Sequence, residues 1–358
     1  MSRARRAWTA TGAAALIVAL AGAAPAPDAG ARRSVAYTFH TMGTYVTFHI
    51  VTADSVAGAA LAERGAAVLF HLDSLMSNWT TTSEVARINR EAASHATRID
   101  PEVATVVDTS LRVWRESDGV FDITVEPLMR AWGFLGGQRR VPSDSEAAAA
   151  AALVGAGHVH YDPATRTIRF DRPGVKIDLG GIAKGYAVDR AADALRAAGV
   201  SDALVDLTGN MKALGHPPDA PAWRIGIRDP RDRLPYFARL TLKPGEGIST
   251  SGKYEQFIAK DGKTYGHIMD PRTGRPADGL ISVTVVSGSG FACDTWDTPI
   301  FVLGAEAGRQ KALEHRELSV VLVSPGPADV DTVWVESTLR DRFVLESAAA
   351  PHFVVRYF

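Results

Sequence analysis

The chain contains a single cysteine, Cys293, in 358 residues. No disulfide can form within it, and a cysteine-rich metal site is excluded. The fold must rest on an apolar core, which 46% hydrophobic content at this length supplies. Charge of one sign is not in excess: 39 Lys and Arg against 40 Asp and Glu leave a formal net charge of -1. Nothing in that balance favours nucleic acid, and no block of like charge marks a disordered tail. Beyond the N-terminal segment, no apolar run is long enough to cross a bilayer. The patterns GxxxxGK[ST], HExxH and GxSxG do not occur, which argues against a P-loop nucleotide site, a zinc protease and a serine hydrolase.

What is present begins with a leader. Arg3, Arg5 and Arg6 precede an Ala/Leu/Ile/Val run from Gly12 to Ala24 and a small-residue segment, AGAAPAP. This is the pattern of a secretory signal peptide over residues 1–26, with cleavage near Ala24 or Ala26. Residues 27–358 show neither an internal repeat nor a linker-like stretch, and are read as one domain.

Along that domain, YTFHTMGTYVTFHIV alternates and predicts a strand pair turning at Met42-Gly43-Thr44. Helical spacing over residues 56–76 runs into Ser77-Asn78-Trp79. Thr81-x-x-Glu84 and Ser143-x-x-Glu146 have the form of capping boxes. A helix is expected over 102–116, a helical turn over 125–132, and a hairpin through HVHY and TIRF. The segment Val175–Leu179 reads as a short strand, followed by a Gly180-Gly181 turn and a helix to about Ala198. Further strands are expected at ALVDL, at 223–227, at 240–242, through GISTSGKYEQFIAKDGKTYGHIMDP with an Asp261-Gly262 turn, and at 281–287. A helix begins near Ala292, and the tail reads as alternating helix and strand. Mixed elements without strict βαβ alternation indicate α+β.

Three stretches carry candidate chemistry. Asp294-x-x-Asp297-Thr298 places two carboxylates and a hydroxyl on one helix face, a hard-oxygen set suited to Mg²⁺ or Ca²⁺. The same residues are also favoured in any first helical turn by capping and the dipole. His267, beside Asp270-Pro271-Arg272, suits either a general base or a ring that holds the turn. The strand–glycine–helix form of KIDLGGIAKGYAVD fits an anion-binding turn or a merely tight connection. Asp118-Gly119-Val120-Phe121-Asp122 is likewise either a ligand-facing loop or a plain turn.

Taken together, MGT (42–44), Trp79, SDGVFDITV (117–125), KIDLGGIAKGYAVD (176–189), WRIGI (223–227), ISTSGKYEQF (248–257), YGHIMDPRTGRP (265–276) and CDTWDT (293–298) resemble, in order, the ApbE family of FAD:protein FMN transferases. The resemblance implies an α+β domain of mixed, mainly antiparallel sheets flanked by helices. It implies Mg²⁺-dependent cleavage of FAD, with FMN passed to a threonine hydroxyl of an exported acceptor protein and AMP released. A subunit of a membrane redox complex is the expected kind of acceptor, in an extracytoplasmic or periplasmic setting. Flavin contacts are implied at Met42, Trp79, Val120, Phe121, Asp122, Asp178, Lys184 and Ile268. Metal contacts are implied at Asp294, Asp297, Thr298 and the Gly181 carbonyl, and the base role at His267. With water as nucleophile the same set would hydrolyse FAD to FMN and AMP. Without turnover it would only bind flavin.

The chain departs from the family pattern in three places. Thr208-Gly209-Asn210 stands where the family often has Gly-Gly-acid, which should narrow the cleft and change a polar contact. Gly180-Gly181 replaces a commoner Ser/Ala-type pair. The lipoprotein cysteine of many members is absent.

Overall fold

The computed structural model describes residues 31–358, so the leader at 1–26 lies outside the described residues. Its centre is a nine-stranded sheet: β1 (Arg33–Thr41), β2 (Thr44–Thr52), β3 (Ala203–Leu207), β4 (Asn210–Leu214), β5 (Gly247–Gly252), β6 (Ser282–Ser287), β7 (Ser319–Ser324), β8 (Asp331–Val335) and β9 (Phe353–Tyr357). Strands lie side by side in chain order, and every neighbouring pair is antiparallel except β8 with β9. This is a meander with long excursions between strands. Its pairing follows from alternation, since successive side chains leave opposite faces of a strand.

The alternation sorts residues into two cores. On one face, Val205 and Leu207 of β3, Val283 and Val285 of β6 and Val320 and Leu322 of β7 pack with the helices. These are α1 (Ser55–Met76), α2 (Glu84–Glu91), α3 (Pro101–Glu116), α6 (Ala183–Ala197) and α7 (Gly290–Glu314), while α4 (Glu126–Ala131) and α5 (Asp144–Ala151) pack apart from them. On the other face, Leu204, Val286, Val321 and Val323 meet a three-stranded sheet built from Trp223–Ile227, Ala238–Leu242 and Phe343–Leu345. A smaller cluster around Leu128, Trp132, Phe134, Ile258 and Met269 joins α4 to the hairpin 257–266. Both faces of the sheet are therefore covered, and the cleft opens at the helical side.

Most predicted elements are found, and the two-residue hairpins have a shared cause. Met42-Gly43, Thr208-Gly209 and Asp261-Gly262 all have positive φ at both positions, the geometry of type I′ turns that match strand twist. Thr208 is β-branched at φ 44, a strained position. Its hydroxyl donates to the Tyr45 carbonyl at 2.9 Å and pairs with Thr44 Oγ1 at 2.7 Å, so it fastens one hairpin to the next.

Four expectations are corrected. Residues 175–179 are extended but join no sheet. The amides of Asn78 and Asn89 donate to the Ile177 carbonyl, and Asn89 Oδ1 accepts the Ile177 N–H at 2.8 Å, so side chains replace a ladder. Thr81 does not cap α2; Ser83 does, accepting the Ala86 N–H, while Glu84 accepts the Asp100 N–H. The tail contains single 3₁₀ turns rather than α-helices between its strands. Finally, α7 starts at Gly290, where the Ser289 hydroxyl caps it and Asp189 of α6 accepts the Gly290 N–H at 2.8 Å.

That last bond marks a crossing that places the site. Gly185 of α6 lies against Gly290 and Asp294 of α7: a Cβ at Gly185 would sit 2.3 Å from both the Asp294 Cβ and the Gly290 carbonyl oxygen. Only glycine lets the two backbones come this close. Gly185→Ala is therefore expected to lower stability by about 1–3 kcal/mol through overpacking. Urea denaturation checks this; an unchanged midpoint would show that the crossing can yield.

Candidate active site

A cleft of about 560 Å³ opens where the α6–α7 crossing meets the ends of β1–β5. Its size is within the range of small-molecule sites. Every candidate residue lines it: Met42, Trp79, Val120, Phe121, Asp122, Asp178, Gly181, Lys184, His267, Ile268, Asp294, Asp297 and Thr298. A second hollow of about 330 Å³ lies on the other side of Trp79, beside Arg90, Arg130 and Lys176.

The carboxylates are deep inside. Asp294 and Asp297 are 4% and 1% exposed. Asp294 Oδ2 accepts the Gly185 N–H at 2.7 Å, from the first turn of α6, where the helix dipole favours a negative charge. The Ser249 hydroxyl donates to Asp297 Oδ2, and Thr298 Oγ1 donates to Asp297 Oδ1 at 3.2 Å. The Cβ position of Gly181 falls 3.8 Å from Thr298 Oγ1, so the glycine turn and the carboxylate pair share one corner.

The electrostatics of this corner suit a cation. Burial raises the pKa of Asp294. Burial, and then the neighbouring Asp294 charge, raise that of Asp297 well above the usual carboxylate range. Two carboxylates confined together out of water repel each other, and a divalent cation relieves that repulsion. Among the described residues no group of three or more His, Cys, Asp or Glu side chains forms a metal cluster. The corner offers instead two carboxylates and the Thr298 hydroxyl beside the glycine turn. That fits Mg²⁺, which usually takes one or two carboxylates and completes its shell with water and phosphate.

Lys184 and His267 complete the inner wall. Lys184 Nζ donates to the Asn210 side-chain oxygen at 3.2 Å. The His267 N–H of the backbone donates to the Gln256 carbonyl at 3.0 Å, and the ring meets Phe134 edge-on with Nδ1 buried and unpartnered. Burial, and then the Lys184 charge, lower the His267 pKa from 6.5 to about 4. The ring is neutral near pH 7, the state a general base requires.

The remaining candidates differ in character. Val120 and Phe121 are buried at the cleft wall, whereas Trp79 is 65% exposed at its rim. Met42 is held at φ 50 by its N–H donating to Asp73 Oδ2 at 3.0 Å. Asp178 accepts the Gly180 N–H at 2.8 Å, which shapes the glycine turn. The Asp122 carboxylate is engaged with its own loop, accepting from the Thr124 N–H and the Ala156 N–H, each at 2.7 Å. Its role in the structure is to hold the Val120-Phe121 wall in place.

Sequence reasoning missed several lining residues. Ser249 and Ser251 sit two apart on β5, and that spacing places both hydroxyls on one face, toward Asp297 and Thr298. Arg228 stacks on the Tyr254 ring at 4.8 Å and pairs with Asp232 at 2.7 Å. Its loop is anchored by Arg231 and Arg233 on the fully buried Asp331, at 2.7 and 3.0 Å. Glu255 also lines the cleft, and burial raises its pKa.

These features define a class: an α+β protein with a nucleotide-sized cleft, a buried carboxylate pair for a hard cation, an ammonium and a neutral histidine. The chain belongs to the ApbE family, whose model matches residues 42–322. It is 32% identical over 311 residues to the FAD:protein FMN transferase of Escherichia coli K12, covering 86% of this chain and 88% of that one. The FAD:protein FMN transferase of Rhodobacter capsulatus is 35% identical over 289 residues, 79% of this chain and 53% of that protein. Among solved structures, the flavin transferase ApbE of Vibrio cholerae superposes with a TM-score of 0.76 at 30% identity, over 87% of this chain and 99% of that one. The ApbE protein of Thermotoga maritima gives 0.78 at 30% identity, over 87% and 99%.

Two outcomes follow from the charges. The unfolded chain binds a proton at His267 between pH 6.5 and about 4 that the folded ring refuses, so this residue removes stability as pH falls through that window. Subtracting the urea-denaturation profile of His267→Gln from that of the parent should leave this slope; a flat difference would contradict the buried neutral ring. Asp297→Asn removes one of two repelling charges. It should raise the melting temperature of the metal-free protein at pH 8 and abolish any further rise on adding MgCl₂, and an undiminished MgCl₂ response would remove Asp297 from the cation set.

Proposed function

We infer that this chain is an FAD:protein FMN transferase that uses Mg²⁺ and passes FMN to a threonine hydroxyl of an exported acceptor protein, releasing AMP. The observation that carries this reading is the meeting, in one cleft, of the Asp294/Asp297/Thr298 set, the Lys184 ammonium and the neutral His267 ring. The names of the family relatives support the same reading.

The transfer balances simply. The acceptor threonine oxygen attacks the FMN phosphorus, the anhydride P–O bond breaks, and the pair of electrons leaves with AMP. The proton from the hydroxyl goes to the His267 imidazole, which is unprotonated at neutral pH. Asp294, Asp297, Thr298 and the Gly181 carbonyl would hold Mg²⁺, which would supply neutralisation of the charge that develops in the transfer. Lys184 adds a fixed positive charge beside it, and the apolar wall of Val120, Phe121 and Ile268 excludes water around the flavin. Trp79 at the rim offers a flat face for a ring system. The acceptor, proposed as a subunit of a membrane redox complex, and the extracytoplasmic location both rest on the leader and the family resemblance.

The test is incubation with FAD, MgCl₂ and a candidate acceptor, followed by in-gel flavin fluorescence after denaturation. A covalently labelled acceptor is expected. FMN and AMP released with no labelled acceptor, across several acceptors, would instead mark hydrolysis. His267→Ala should cut labelling by about 10²–10⁴-fold while FAD still binds, and the parent's acid limb should lie below pH 5 rather than near 6.5; near-normal labelling by the variant would remove His267 from the base role.

A further inference from the structure

Lys184 and Asp294 carry opposite charges in the same buried corner, each within hydrogen-bond reach of the Asn210 side chain. Yet Lys184 enters no ion pair among the described residues. The side chain of Asn210 stands between them. Asn210 is 2% exposed and begins β4, directly after the strained Thr208-Gly209 turn. With its amide oriented as its neighbours require, the nitrogen donates to Asp294 Oδ1 at 3.0 Å and to Ser249 Oγ at 2.8 Å, and the oxygen accepts from Lys184 Nζ at 3.2 Å. The Ser249 hydroxyl is then left to donate to Asp297 Oδ2.

We propose that Asn210 is a positioning residue that acts as a neutral spacer, keeping the Lys184 ammonium from collapsing onto Asp294. The inference rests on the cation reading above and goes beyond it. An amide has a donor end and an acceptor end, so it satisfies a carboxylate and an ammonium at once without changing the charge of either. A direct Lys184–Asp294 pair would disable both partners. It would spend the Asp294 charge on Lys184 instead of on the cation, and use up the ammonium needed by the phosphates. A carboxylate at position 210, the residue type the family often has there, would also separate the two, but by pairing with Lys184 itself and placing a third negative charge beside Asp294 and Asp297. An apolar side chain would leave both charged groups to find each other. The type I′ turn fixes the Asn210 backbone, and Thr208 fastens that turn to β2, so the spacer is held from outside the cleft.

The experiment measures divalent-cation binding by calorimetry with MgCl₂, and by electron paramagnetic resonance with MnCl₂, in protein free of FAD. Asn210→Leu should weaken binding roughly 10–100-fold, the usual effect of removing a residue that orients a ligand. In a Lys184→Met background the same substitution should cost far less, because the collapsing partner is gone. Asn210→Asp should separate the two ligands: Mg²⁺ binding is kept or tightened, while FAD binding without cation is weakened. Melting temperature is followed in parallel, and Asn210→Asp remains informative if Asn210→Leu does not fold. Equal losses in both Lys184 backgrounds, parallel loss of both ligands in Asn210→Asp, or Asn210→Leu binding within twofold of the parent would overturn the spacer. If the parent protein binds neither cation, the cation reading itself falls and the spacer with it.

Discussion

The site depends on one close approach. Gly185 and Gly290 let α6 and α7 cross almost backbone to backbone, and the Gly185 N–H reaches Asp294 in the resulting contact. This brings the glycine turn at 180–181 to the carboxylates at 294–298, more than a hundred residues further along. Asp189 adds a second fastening by accepting N–H groups at the start of α7. A buried carboxylate pair is costly on its own, and the fold tolerates it because these N–H donors, Ser249 and Asn210 occupy its lone pairs in part. Each of the four carboxylate oxygens keeps a lone pair beyond the one donor it accepts, and those lone pairs are what a cation would use.

Around that point the nine-stranded meander acts as a frame. Its strand ends present three things to the same opening: the Met42 turn, the Thr208-Gly209-Asn210 turn and the paired serines of β5. Met42 and Thr208 have positive φ here, and each has a specific holder, Asp73 for one and the Tyr45 carbonyl for the other. The Asp331–Arg231–Arg233 network on the far side does the same for the loop carrying Arg228. The cleft wall therefore depends on hydrogen bonds made outside the carboxylate corner.

Much of this was legible in the chain. The hairpins announced themselves through Met42-Gly43 and Asp261-Gly262, and the strands through alternation. The Asp294-x-x-Asp297-Thr298 spacing put its oxygens on one helix face correctly. Local pattern failed where the partner was distant. The extended segment 175–179 has the composition of a strand, but Asn78 and Asn89 hold it, and nothing local reveals that side-chain amides will replace a ladder. Thr81 and Ser83 are both adequate caps, and the choice was made by the Ser83 hydroxyl reaching back to the Ser77 carbonyl. The 118–122 segment read equally as a ligand-facing loop or a plain turn, and only the structure shows the Asp122 oxygens accepting from Thr124 and Ala156. Asn210 was visible as a departure from the family pattern, but its meaning required knowing that Lys184 and Asp294 flank it.

Asp294, Asp297, Thr298 and the Gly181 carbonyl are proposed to hold one divalent cation together. Anomalous diffraction from crystals grown with MnCl₂ tests it most directly. A single manganese peak within coordination distance of all four groups is expected. A peak elsewhere in the cleft, or strong binding that survives with Asp294 and Asp297 uncoordinated, would contradict it.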